Sequence, residues 1–167
     1  MTTTEASRAA SREGAVEVPF PSVAWFERLG ELMAEQRPRF EHLGTIDCVM
    51  QVTIVDGGPG GEPWKTQVTF EEFALTDVRL VGDDDLARAD FVVETDLATW
   101  REMVENIVAG EGRPDLAHTL NYLSLPGTPI RVWSEDPLRR DAFFRFNQTL
   151  QEFIDNCGSF TTRFGEG

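Results

Sequence analysis

The sequence predicts an α+β fold: a five-stranded, mainly antiparallel sheet with helices packed on one face. Three observations predict it. Apolar and polar residues alternate with a period of two in three successive stretches between Ile46 and Leu80, separated by turn-forming residues. Helical spacing of apolar residues lies before and after that block, so strands and helices are segregated rather than strictly alternating. The chain has 167 residues, 41% of them hydrophobic, enough for one domain with a sizeable core and too few for two ordinary ones.

Residues 1–19 are small, polar and mixed in charge, and are read as a disordered tail ahead of one domain over 20–167. Ser22, after Pro21, is the expected N-cap of a first helix whose apolar stripe is Trp25, Phe26, Leu29, Leu32 and Met33. Pro38 is expected to end it by Arg37, because the residue before proline avoids the helical region. The first strand follows, with Ile46, Cys48, Met50, Val52 and Ile54 on one side. The glycine-rich segment 56–61 joins it to a second strand carrying Trp64, Thr66, Val68 and Phe70, as in a hairpin. After a turn near Glu71–Ala74 comes a third strand with Thr76, Val78 and Leu80. A polar loop, Gly82–Ala89, leads to a fourth strand at Phe91–Thr95.

Asp96 can cap the next helix, where Trp100, Met103, Val104 and Ile107 fall at helical spacing before Gly110. Pro114 suits the first turn of a shorter helix bearing Leu116, Leu120 and Leu123. Pro126-Gly127 turns the chain into a fifth strand around Ile130–Trp133. One long closing helix then runs from Asp136-Pro137 to Gly158, with Phe143, Phe146, Leu150, Phe153, Ile154 and Cys157 on a shared face.

Charge and composition exclude several functions. Only 15 Lys and Arg stand against 29 acids, a net charge of −14, so no nucleic-acid partner is expected. The same charge repels anionic membrane surfaces. No run approaches the roughly 18 apolar residues of a membrane span, so no integral membrane insertion is expected. The first 18 residues lack an apolar signal core, and the two cysteines, Cys48 and Cys157, are far apart without a ligand motif; a reduced, cytoplasmic protein is expected.

Catalytic motifs are equally sparse. His42 and His118 stand in no HExxH pattern, and no GxSxG surrounds a serine. The glycines at 57, 58, 60 and 61 lack the Gly-Lys-Ser/Thr of a phosphate loop. Asp83, Asp84 and Asp85 lack the glycine and distal glutamate of a calcium loop. No enzyme activity, cofactor or metal is expected, and His118 with nearby carboxylates is the remaining catalytic candidate. What the sequence does offer is apolar surface. With 12 phenylalanines and one tyrosine, three helical stripes must either pack tightly or leave a hollow for a ligand.

Several phrases resemble the sterol carrier protein type 2 family in its bacterial stand-alone form. QVTFEEFALTDVRL is similar to the family's strand, turn and strand. ADFVVETDLATWREMVENIVAG resembles its next strand and helix, and PDLAHTLNYLSLPGTPIRVW its short helix and final strand. FFRFNQTLQEF with SFTTRF resembles the terminal helix and tail, so the likeness covers about residues 20–164. It departs where Glu72-Phe73-Ala74 replaces a turn glycine and Ser134-Glu135 replaces a glycine after the last strand. The resemblance implies an apolar cavity between sheet and helices for a fatty acid, acyl-CoA or sterol-like molecule, bound without covalent chemistry. Its lining would be Trp100, Met103 and Ile107, Leu120 and Leu123, and Phe143, Phe146, Leu150 and Phe153, with Phe26 and Met33 from the first helix. The expected function is carrier or sequestering protein. The alternative is an accessory subunit docked on a metabolic enzyme, or a homodimer.

Overall fold

The computed structural model describes residues 17–165. Its elements are β1 (Glu17–Phe20), α1 (Val23–Glu35), α2 (Arg37–Leu43), β2 (Cys48–Ile54), β3 (Trp64–Glu71), β4 (Ala74–Leu80), β5 (Phe91–Thr95), α3 (Leu97–Ala109), α4 (Leu120–Leu123), β6 (Arg131–Trp133), α5 (Pro137–Arg145), α6 (Asn147–Asp155) and β7 (Thr161–Phe164). The main sheet has five strands in the order β4-β3-β2-β5-β6. Three of its four pairings are antiparallel, and β2–β5 is parallel. The expected α+β class is observed.

Period-two alternation does the sorting. Met50, Val52 and Ile54 of β2, Val68 and Phe70 of β3, and Phe91 and Val93 of β5 enter one apolar core shared with the helices. Helix α1 supplies Trp25, Phe26, Leu29 and Met33, all fully buried, and starts where the Ser22 hydroxyl accepts from Trp25 N at 3.1 Å. Helix α3 is capped at its start twice. Asp96 accepts from Thr99 N, and Asp56 of the β2–β3 loop accepts from Leu97 N, both at 2.8 Å.

The opposite face of the sheet is not simply wet. A parallel β2–β5 pair needs a crossover, and residues 81–90, with a 3-10 turn at Asp83–Arg88, supply it across that face. Gln51, Thr53 and Gln67, which alternate with the core residues, are therefore buried at 3–5% exposure. They are satisfied in a chain: Gln67 Nε2 donates to Gln51 Oε1 (3.1 Å) and to Asp85 O (2.8 Å), and Gln51 Nε2 donates to Thr53 Oγ1 (3.1 Å).

Five expectations need correction. Residues 17–19, read as the end of a tail, form β1, which pairs in parallel with β7; residues 1–16 of that tail lie outside the described residues. Pro38 does follow the end of α1, but it also opens α2, because proline fits the first turn of a helix as well as it terminates one. The short helix divides into a 3-10 turn at Leu116–His118 and α4, with Thr119 capping α4 through its hydroxyl. The long closing helix is broken at Phe146, whose φ and ψ of −103° and 14° are not helical. The closing tail forms β7.

Candidate functional site

The structure brings the eleven expected lining residues together. Phe26, Met33, Trp100, Met103, Ile107, Leu120, Leu123, Phe143, Leu150 and Phe153 are all buried in the one core, and Phe146, at the helix break, is half-buried against it. Their rings are in packing contact: Phe153 meets Phe70 edge-on at 4.9 Å, Phe143 meets Phe91 at 5.6 Å, and Phe26 meets Trp100 at 6.2 Å. Three hollows walled by described residues are lined by other side chains.

The largest of the three has a volume of about 960 Å³ and lies where four segments converge. The ends of β1 and β7 bring Phe20 opposite Phe164, with ring centroids 5.6 Å apart. The β2–β3 loop forms a second wall, held to the start of α3 by Asp56. Two of its glycines are needed for close approach: a Cβ on Gly57 would stand 2.8 Å from Ile54 Cγ2, and one on Gly58 would stand 2.8 Å from Glu62 O. Trp64 of β3 and Leu97, Ala98 and Arg101 of α3 complete the enclosure with Pro21. Most of this wall is aromatic, aliphatic or glycine backbone, and the volume falls in the roughly 300–1,000 Å³ range of small-molecule sites.

Behind the wall stands a layer of aromatic rings. Phe20 packs edge-on to Trp25 at 4.7 Å and lies 5.3 Å from Trp100, while Trp64 stacks on Phe26 at 6.2 Å and 14°. Phe26 and Trp100 of the eleven thus form the floor beneath the hollow. Trp25 Nε1 donates to Thr162 Oγ1 at 2.9 Å. Trp100 Nε1 is buried without a hydrogen-bond partner among the described residues.

One cation stands among the described residues that line the hollow. The Arg101 guanidinium lies 5.2 Å over the Phe164 ring, and its Nε donates to Glu105 Oε2 at 3.2 Å, one turn along α3. Sequence reasoning missed Phe20, Trp64, Arg101 and Phe164 as a group. They come from both ends of the chain and from a hairpin, and the parallel β1–β7 pairing that unites them has no local signature.

The remaining titratable groups offer little for catalysis. His118 Nδ1 lies 2.6 Å from Asp115 Oδ1 and Nε2 lies 3.7 Å from Glu102, at the surface. The hydrogen bond to His118 holds the Asp115 carboxyl below its usual range. Among the described residues no hydroxyl or thiol is hydrogen-bonded to that histidine. Burial pushes the thiols of Cys48 and Cys157 up to about 12, which keeps them protonated and unreactive. Among the described residues, no group of three or more His, Cys, Asp or Glu could hold a metal ion, and no helix is long and apolar enough to cross a membrane.

No family model matches the chain. Among curated proteins, the anaerobic nitric oxide reductase transcription regulator NorR of Escherichia coli (strain K12) is 32% identical over 87 residues, and that of Shigella flexneri is equally similar. The matched stretch is half of this chain and spans only 17% of the regulator's length. Two solved structures are similar over most of the chain. Sterol carrier protein 2, in its crystal structure, aligns with a TM-score of 0.56 and 22% identity, over 83% of this chain and 96% of that one. A conserved hypothetical protein from Thermus thermophilus, with a suggested sterol-carrier identity, aligns in its solution structure with a TM-score of 0.58 and 17% identity, over 92% and 98%. At these identities the likeness shows the architecture: this chain has a sterol carrier protein-like α+β fold.

Proposed function

We propose that this protein is a non-catalytic carrier that shelters an apolar small molecule, a fatty acyl or sterol-like compound, in the cytoplasm. The observation that carries the reading is the hollow of about 960 Å³ at the Phe20–Phe164 corner, with the Phe26/Trp100 layer as its floor. It is supported by the sterol carrier protein-like fold, in which the other nine of the eleven residues continue one apolar body with that floor. In this reading the hollow is the mouth, and the eleven line the path that an alkyl chain takes between the sheet and helices α3–α6. Ten buried methylenes contribute about 8 kcal/mol, equivalent to micromolar affinity before ordering costs; immobilisation leaves the net affinity weaker than that, and longer chains are expected to bind more tightly.

The test is native mass spectrometry of the purified protein, followed by titration with a fluorescent fatty acid and a fluorescent sterol. A co-purified apolar ligand, or saturable binding that Trp64→Asp abolishes in a folded protein, is the expected result. A protein that arrives empty and binds neither probe ends the proposal.

A second reading, an accessory subunit that docks on a metabolic enzyme, draws on Leu138 and Phe144, which are 83% and 48% exposed on α5. It predicts one defined enzyme partner from the native source, lost in a Leu138→Asp variant. The resemblance to NorR is not extended to DNA, because a net charge of −14 opposes contact with phosphates.

A further inference from the structure

We infer that the sheltered molecule is an amphiphile with a carboxylate end, and that Arg101 receives this end at the rim of the hollow; the inference rests on the carrier reading above. Arg101 is the only cation among the described residues lining that hollow. The other charged lining residue, Asp56, is already engaged, accepting from Leu97 N one helical turn before Arg101.

The guanidinium is only partly engaged. It lies over the Phe164 ring, and its Nε donates to Glu105. Its two terminal nitrogens donate to no described residue, and the side chain is 55% exposed. A planar fork whose two prongs meet no partner among the described residues matches a carboxylate with two parallel hydrogen bonds, a geometry that lysine does not provide.

Net charge narrows the ligand further. A chain of net charge −14 repels small free anions, so a carboxylate reaches Arg101 only when attached to a body that gains by leaving water. Phe20, Pro21, Trp64, Leu97 and Ala98 offer that gain within the same hollow. Arg101 orients the molecule head-outward at Phe164, with its chain toward the Phe20/Trp64 side.

Isothermal titration with dodecanoate and 1-dodecanol, equal in chain length and different in head, tests this. The wild-type protein is expected to bind dodecanoate more tightly. Arg101→Gln should weaken dodecanoate about ten-fold, ~1.4 kcal/mol, and leave 1-dodecanol within about two-fold. Glu105→Gln, which removes the competing carboxylate, should tighten dodecanoate. Equal wild-type affinity for acid and alcohol, or an Arg101→Gln variant that weakens both alike, overturns the role of Arg101 while the carrier reading stands. A wild-type protein that binds neither probe removes the carrier reading and this inference with it.

Discussion

Asp155→Asn should stabilise the protein at pH 7.5 and change nothing at pH 4. Asp155 ends α6 half-buried, accepting a hydrogen bond from Gln151 Nε2 at 2.7 Å, while Gln151 Oε1 accepts from Leu120 N at the start of α4, also at 2.7 Å. Burial raises the Asp155 pKa from an ordinary 3.8 to about 6; Gln151 lowers it, Glu152 raises it and Arg39 lowers it by smaller amounts. A carboxyl raised in the folded state keeps its proton at a pH where the unfolded chain has lost it. Its folded form is therefore favoured below about pH 4, and that advantage disappears as pH rises through 6. A gap of about two, at ~1.4 kcal/mol for each, sets a ceiling of about 3 kcal/mol. Because the side chain is only half-buried, solvent screening reduces this to about 1 kcal/mol. Asparagine keeps the shape and the acceptor for Gln151 without the charge. Urea unfolding followed by tryptophan fluorescence should show the variant about 1 kcal/mol more stable at pH 7.5, with coincident curves at pH 4. The remaining acids affect both proteins alike and cancel in the comparison. Equal stability at pH 7.5, or a gap that persists at pH 4, refutes the reasoning.

Gly110→Ala should lower the melting temperature by several degrees. The backbone there has φ −91°, so conformation is not the obstacle, but an added Cβ would stand 2.0 Å from Arg113 O, and such overpacking costs about 1–3 kcal/mol. Phe153→Ala should cost about 3–5 kcal/mol in urea unfolding, since the ring is fully buried against Phe70. Phe146→Ala should cost clearly less, because its ring is half-buried at the helix break; equal costs for the two would contradict the break.

The sheet was legible because its strands alternate cleanly, and β5 and α3 fall within a residue of their expected bounds. Where the reading failed, a local rule had two solutions. Proline both ends and begins helices, and at Pro38 it stands just after one and just inside the next. The spacing of Phe143, Phe146 and Leu150 fits an unbroken helix, yet the chain bends at Phe146 so that Phe143 reaches Phe91 and Phe153 reaches Phe70. The turn glycine that the family resemblance leads one to expect is absent between β3 and β4. Glu72 occupies the left-handed region instead, with φ 57°, held from both sides by Asp47 Oδ1 accepting from its N–H and Ile46 N–H donating to its carbonyl. The buried glutamines were illegible because alternation marks them as outward-facing without revealing that residues 81–90 cross over them. The hollow was illegible for a stronger reason: Phe20 and Phe164 are 144 positions apart, and only the β1–β7 pairing makes them neighbours.

That pairing also bears on whether a carrier needs a ready-made tunnel. The same side chains close the core and are proposed to line the path, so the deciding quantity is the cost of parting them. Phe20, between the hollow and the core, meets Trp25, Trp100, Phe164 and Phe26 at centroid distances of 4.7 to 6.4 Å. At about 0.5–1.5 kcal/mol for each aromatic pair, and about 1.5–3 kcal/mol more for exposing the ring, moving it aside costs roughly 4–9 kcal/mol. A chain of four or five methylenes recovers only about 4 kcal/mol on burial, no more than the lower end of that cost. Ten methylenes recover about 8 kcal/mol, which exceeds the cost over most of that range. If the protein is the carrier proposed above, a closed aromatic floor is compatible with loading and chain length becomes a criterion of entry, long chains being expected to part the sheet and helices where short ones do not.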